Sequence, residues 1–303
     1  MSSTRRARPL RKALDPPLWL VYLLLLGPVG FLAVFNYVPA VSALYHAFTR
    51  WDVGGRSQWV GLANFREMVR DPVLLKSVAN LLKLGAFIFV ATLSVPLAVA
   101  EMIFHLRSER WSYLARVAVV LPMIVPGVVI YMLWGYIYSD AGILTELLID
   151  IGRNDWVYPW LSHPKTALLA VALVGFPFAG GFQVLIYYAG LVNIPPSLLE
   201  AAQLDGLGAL GRIRRIHLPL IRPQIKLLIV VTVITVVNGF EGIYILTGDG
   251  GPGYETMVPG LYMYLNGFNY QRMGYACALG LAMLAFLLAF TIGLSRLMRA
   301  DQD

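Results

Sequence analysis

The stretch NIPPSLLEAAQLDGLGALGRIRRIHLPLIRP, from Asn193 to Pro223, lies between two long apolar runs. At about thirty residues it is too long for a plain helix-to-helix connection, so it has structure of its own. Pro195 and Pro196 stop the preceding run. Ser197 and Glu200 stand at the S-x-x-E spacing of a capping box, which predicts a short helix starting there. Leu198, Ala201, Ala202 and Asp205 share one face at i, i+3, i+4, i+7 spacing, and the two alanines allow a partner surface to approach the backbone closely. Gly206 and Gly208 end the helix. A second amphipathic piece with Arg212, Arg214 and Arg215 leads to Leu218-Pro219, and apolar sequence resumes near Pro223. From these residues alone two readings stand open: a helix docking onto a protein partner, and an interfacial helix lying on lipid with its arginines on anionic headgroups.

Outward from this stretch the chain is apolar. Of 303 residues, 58% are hydrophobic and 14% charged, whereas soluble domains run near 45–50% and about 25%. Lipid must be the solvent for much of it. A spanning helix needs about 20 mainly apolar residues. Six segments qualify: 18–48, 78–104, 114–138, 166–190, 225–246 and 273–297. The fold expected is an all-α membrane protein with six transmembrane helices. The first run follows Arg5, Arg6, Arg8, Arg11 and Lys12, as a secretory signal would. It is too long for one and lacks a small-residue cleavage site, so it reads as a retained membrane helix. Helix breakers interrupt two spans: Pro122, Pro126 and Gly127 in the third, and Gly175, Pro177, Gly180 and Gly181 in the fourth.

The net charge of +7 does not indicate a nucleic-acid partner, because the basic residues bracket apolar runs instead of forming one basic domain. Alternate connections differ in Lys and Arg content. The N-tail, the second and fourth connections and the C-tail hold fifteen, and the other side holds seven. The positive-inside rule places both termini in the cytoplasm. Trp51, Trp59, Trp156, Tyr158 and Trp160 in the other loops suit interfacial anchoring. The lone Cys277 permits no internal disulfide. His46, His105, His163 and His217 are far apart in sequence, so no metal-ligand pattern and no catalytic constellation is present.

Ionisable residues inside spans mark pathways by default, because charge in lipid is unfavourable. Lys83 lies near a span end and could snorkel, and Glu101 could reach the interface beside Arg107. Glu241, in the run Asn238-Gly239-Phe240-Glu241-Gly242, lies deeper. Glu241, Asn238 and Tyr244 are the candidate pathway residues. An alternative class, a stand-alone secondary transporter or channel, would bring an intramembrane carboxylate cluster, and the isolated Glu241 argues against it.

The spacing E-A-A, three residues, G, nine residues, I-x-L-P is met by Glu200, Ala201, Ala202, Gly206, Ile216, Leu218 and Pro219, with Asp205 before the glycine. It resembles the EAA motif of permease subunits in ABC importers. Leu207, Leu210 and Ile213 stand where the sugar branch often has Ala and aromatics. Trp59-Val60-Gly61-Leu62-Ala63-Asn64-Phe65 resembles the VGLxNF segment of carbohydrate permeases similar to the maltose and glycerol-3-phosphate systems. Leu246-Thr247 with Gly250-Gly251-Pro252-Gly253 resembles their LTxGGP segment, one residue longer through Asp249. The resemblance implies a type I ABC importer permease fold: a basic cytoplasmic tail over 1–17, a transmembrane permease domain over 18–303, and a coupling helix in a loop at about 191–223. It implies that Glu200, Ala201, Ala202, Asp205 and Gly206 contact a cytoplasmic ABC ATPase dimer. A second permease subunit and an extracytoplasmic solute-binding protein complete the assembly in a bacterial plasma membrane, with a sugar or related polyol compound as cargo. No cofactor is implied in this chain. A P-loop needs Gly-Lys followed by Ser or Thr, and none of the five lysines follows a glycine, so ATP is left to the partner subunit.

Overall fold

The computed structural model describes residues 17–52 and 54–297. The basic tail with Arg5, Arg6, Arg8, Arg11 and Lys12, and Arg299 at the other end, lie outside the described residues. Among the described residues three continuous helices, Leu18–His46, Pro72–Phe104 and Met273–Leu297, are long and apolar enough to cross a membrane. At 1.5 Å per residue they measure about 43, 50 and 37 Å, against about 30 Å for a bilayer core.

The other three expected spans are broken. The third consists of Glu109–Ile124 and Gly127–Ile137, bent by 87° at Val125-Pro126. The fourth consists of Ala167–Leu173 and Gly181–Val192, and residues 174–180 between them are non-helical, with a cis Phe176–Pro177 peptide. The fifth consists of Arg222–Asn238 and Glu241–Thr247, parted at Gly239-Phe240. Two further bends, 74° between Gly181–Val192 and Pro196–Leu204 and 73° between Ala209–Leu220 and Arg222–Asn238, hold residues 196–220 away from the helices flanking them. Counting bent pairs as single spans brings the number to as many as six.

Two prolines inside helices are accommodated in the same way. Pro39 and Pro219 each follow a π-helical turn, Ala33–Tyr37 and Ile213–His217. Proline has no N–H to donate and its ring crowds the carbonyl four residues back. A wider turn just before it shifts that carbonyl and lets the helix continue.

Pro72–Phe104 joins two apolar clusters. Leu74 and Leu84, near its start, pack with Met257, Val258, Leu261 and Leu279. Ala100 and Ile103, near its end, pack with Val184, Leu191, Ile221 and Leu228. The helix starts at Pro72, earlier than the expected position 78, because Asp71 caps it. The Asp71 carboxylate accepts from the Val73 and Leu74 amides at 2.9 and 3.2 Å, and from the hydroxyls of Tyr262 and Tyr275, both at 2.7 Å. Burial pushes this carboxyl up, but the two hydroxyls and two amides outweigh it and hold it below the usual 3.8. Its contribution to stability is therefore complete above pH 3.8 and is lost as the pH falls through the lowered value. Asp71→Asn keeps a capping oxygen but loses the charge that accepts from Tyr262 and Tyr275, and is expected to cost about 1 kcal/mol, read as a lower melting temperature of the detergent-solubilised protein at neutral pH. The gap from wild type should close in acid; equal melting temperatures at neutral pH would show that the charge on Asp71 adds nothing to its two tyrosine contacts.

Candidate functional site

The helix expected after Pro195 is present as Pro196–Leu204, but the capping box is not. Pro196, with its helical φ and missing N–H, takes the first helical position, and Pro195 before it is extended with ψ 129°. Ser197 therefore falls inside the first turn, where its side chain caps nothing. The far end follows the sequence expectation. Gly206 has φ +74°, its N–H donates to the Gln203 carbonyl at 3.1 Å, and the Leu207 N–H donates to the Ala202 carbonyl at 3.0 Å. This is a Schellman turn, and its left-handed position favours glycine.

The helix rests on the protein through Leu199 and Ala202. The face expected from the sequence is thus divided: Ala202 turns inward, while Leu198, Ala201 and Asp205 stay exposed together with Glu200. Leu204 is 89% and Leu210 79% exposed, so two large apolar side chains stand out from this stretch. Ile216 packs on the cluster around Leu191, Leu218 is half-buried, and Pro219 is exposed.

Beneath this stretch lies a buried polar cluster that no sequence spacing marks. The His217 Nδ1 lies 2.9 and 3.0 Å from the two carboxylate oxygens of Glu101. Both residues are buried. An ionised Glu101 has only acceptors to offer, so against it Nδ1 carries the proton and donates it. The His105 Nδ1 faces the Glu101 backbone carbonyl at 2.8 Å. Glu101 therefore does not extend to the interface beside Arg107, as its place near a span end suggested. The only sequence signals were an ionisable residue inside a span and a histidine at the variable position of I-x-L-P.

The breaks in the spans converge on a second feature. A cavity of about 180 Å³ is lined by Tyr131, Val174, Gly239, Phe240, Glu241 and Gly242, among others. The breaks of the fourth and fifth spans thus send residues to one place, and the third span reaches it through Tyr131, beyond its own break. The Glu241 carboxylate is exposed and opens the first turn of Glu241–Thr247, where the helix dipole favours an anion. Asn238 and Tyr244 are also exposed, and the Asn238 side-chain amide donates back to the Ile234 carbonyl at 2.9 Å. Tyr244 and Phe240 flank Tyr264, with ring centroids 5.4 and 5.2 Å apart from it.

The two flanking motifs have structural roles. The buried Asn64 side-chain amide donates to the carbonyls of Ala47 and Thr49 at 2.9 and 3.0 Å, fixing the end of the first helix and the Thr49–Arg50 strand that pairs with Gln58–Trp59. The glycine loop after Thr247 is held to the start of Pro72–Phe104. Asn80 donates to the carbonyls of Tyr254 and Met257 at 2.9 and 3.1 Å, and Lys76 to the Gly253 carbonyl and to Glu255 at 2.7 and 2.8 Å. Gly251 has φ +70°, and a Cβ there would meet the Thr256 hydroxyl at 2.7 Å.

Residues 92–300 match the family described as binding-protein-dependent transport system inner membrane component. The probable ABC transporter permease protein YesP of Bacillus subtilis is 32% identical, over 87% of this chain and 85% of that one. The diacetylchitobiose uptake system permease protein NgcF of Streptomyces coelicolor is 28% identical, over 95% and 85%. A chain in the crystal structure of a bacterial alginate ABC transporter, in complex with an alginate pentasaccharide-bound periplasmic protein, superposes with a TM-score of 0.81 at 25% identity, covering 93% of this chain and 95% of that one.

No atom lies within 4 Å of a Cβ built at Gly206, so the effect of Gly206→Ala comes from its positive φ alone, about 1 kcal/mol. Amide exchange at residues 206 and 207 should quicken by roughly fivefold. Unchanged exchange would mean that this turn does not depend on the left-handed glycine.

Proposed function

The chain belongs to the binding-protein-dependent transport system inner membrane component family, and from that premise we propose that it forms half of the translocation pathway of an ATP-driven importer for a sugar or related polyol compound. It is a transport subunit and not an enzyme. The observation that carries the coupling role is the helix Pro196–Leu204, held out at 74° on a base of Leu199 and Ala202 with Glu200, Ala201 and Asp205 free on its outer side. Exposed Leu204 and Leu210 give the same stretch apolar surface that a protein partner would cover. The partner is one subunit of a cytoplasmic ABC ATPase dimer, which consumes the ATP. Ala201 permits close approach, and the Glu200 carboxylate is placed to meet a basic group across the joint.

A second permease subunit faces the broken side of the bundle. Non-helical backbone at membrane depth is tolerated only against protein or a water-filled path. The exposed residues 175–177, Asn238, Glu241 and Tyr244 therefore suit a pathway shared between two subunits. The excess of arginine around residues 107–116 and 212–222 supports a cytoplasmic place for that side, and for both termini, in a bacterial cell. An extracytoplasmic solute-binding protein then docks at the opposite end, near the glycine loop 248–253. Carbohydrate as the cargo rests on the relatives: one is a diacetylchitobiose permease and one an alginate transporter. Residues 1–17 form the cytoplasmic tail, and 18–303 the permease domain with its coupling loop at 191–223.

The decisive experiment is purification of the tagged chain from native membranes in mild detergent, with mass spectrometry of what accompanies it. An ATPase subunit should co-purify, and Glu200→Lys should reduce its yield at least tenfold while the chain still inserts. A chain that purifies alone and transports in liposomes without ATP would overturn the reading. Glu241→Ala should lower uptake roughly tenfold with the ATPase still bound, the effect of losing one intramembrane carboxylate from a path. Wild-type uptake in that variant would remove Glu241 from the pathway.

A further inference from the structure

The pair Glu101–His217 ties the coupling stretch to one particular span. Glu101 lies in the last turn of Pro72–Phe104, and His217 ends the π-helical turn just before Leu218-Pro219. His217 is 1% and Glu101 6% exposed. Around them are Ala100, Ile103 and Ile221, together with the Phe104 ring edge-on to His217 at 5.6 Å. An apolar contact can slide, because dispersion and hydrophobic forces carry little direction. A carboxylate whose two oxygens both face one imidazole nitrogen does not slide freely: its other polar neighbour, the His105 Nδ1 at 3.7 Å, sits one turn along the same helix and offers no second tie to the coupling stretch.

The same helix is gripped at its other end. Asn80 and Lys76 hold the carbonyls of residues 253, 254 and 257, and Asp71 holds the hydroxyls of Tyr262 and Tyr275. Pro96 removes one backbone hydrogen bond on the way, yet it is buried, and its neighbours Leu93 and Leu97 pack on the cluster around Leu191. One helix of 33 residues thus connects the stretch at 196–220 with the glycine loop at 248–253.

Resting on the coupling role proposed above, we propose that Glu101 and His217 are positioning residues: a fixed polar joint that makes the Pro72–Phe104 helix follow the coupling stretch, so that a displacement driven by the ATPase reaches the glycine loop at the far end. Neither residue touches cargo or nucleotide in this arrangement.

The test uses the co-purified complex with its ATPase, in nanodiscs, and a spin label at Asp249→Cys in a Cys277→Ser background. ATP with vanadate is the probe, and the label's spectrum is the readout, so no cargo is needed. The critical variant is Glu101→Met with His217→Leu. Replacing both partners of a buried pair by apolar residues commonly leaves stability intact, so this variant separates a joint from a mere stabiliser. The result expected is that the ATPase still co-purifies and hydrolyses ATP, while the nucleotide-driven spectral change falls at least fivefold. His217→Gln, whose amide still donates to the carboxylate, should keep more than half of it. A full spectral change in the doubly apolar variant, or loss of the ATPase from it, would overturn the joint. A wild-type chain that recruits no ATPase would instead overturn the coupling role itself.

Discussion

In hydrocarbon an unpaired backbone amide or carbonyl has no water to turn to, and leaving one there costs several kcal/mol. That constraint organises this protein. The outer helix Leu18–His46, with little of its surface buried, runs unbroken and passes Pro39 by widening one turn. Helices that break, at Val125-Pro126, at residues 174–180 and at Gly239-Phe240, are those that line the cavity with Glu241 or lie on the side left open in the single chain. Where the backbone is irregular, a cavity or another subunit has to supply what the helix no longer does.

The unbroken helix Pro72–Phe104 is the post on which the irregular parts hang. Its ends are polar and its middle apolar. Asp71, Lys76 and Asn80 hold loops at one end, and Glu101 holds His217 at the other. In a protein with little hydrophobic driving force between its helices, such polar contacts fix geometry that apolar packing leaves loose. Asp71 also pairs the backbone amides that the helix start leaves open, and Lys76 and Asn80 pair carbonyls of the irregular loop. The two short segments that resemble carbohydrate permeases serve the same purpose: Asn64 closes the end of the first helix, and the glycine loop offers its carbonyls to Asn80 and Lys76.

Local rules read well where the deciding groups are neighbours in sequence. The turn at Gly206 was legible because a left-handed residue after a helix is a local requirement. The start of the same helix was misread, because the capping-box spacing ignores what Pro196 does to the first turn. The face of that helix was half legible. Periodicity put Leu198, Ala201, Ala202 and Asp205 together, but which residues turn inward depends on where Leu199 and the cluster below it lie. Glu101 and His217 are 116 residues apart, and nothing in either one's local sequence points to the other.

By itself the sequence determined the solvent, the class and the family. Runs of about twenty apolar residues are a property of composition, and the EAA spacing needs only a ruler along the chain. The tertiary structure decided which spans are continuous, which carboxylates are paired, and which side of the helix Pro196–Leu204 is free. Those depend on contacts between residues far apart in the chain, and such contacts exist only once the helices have packed.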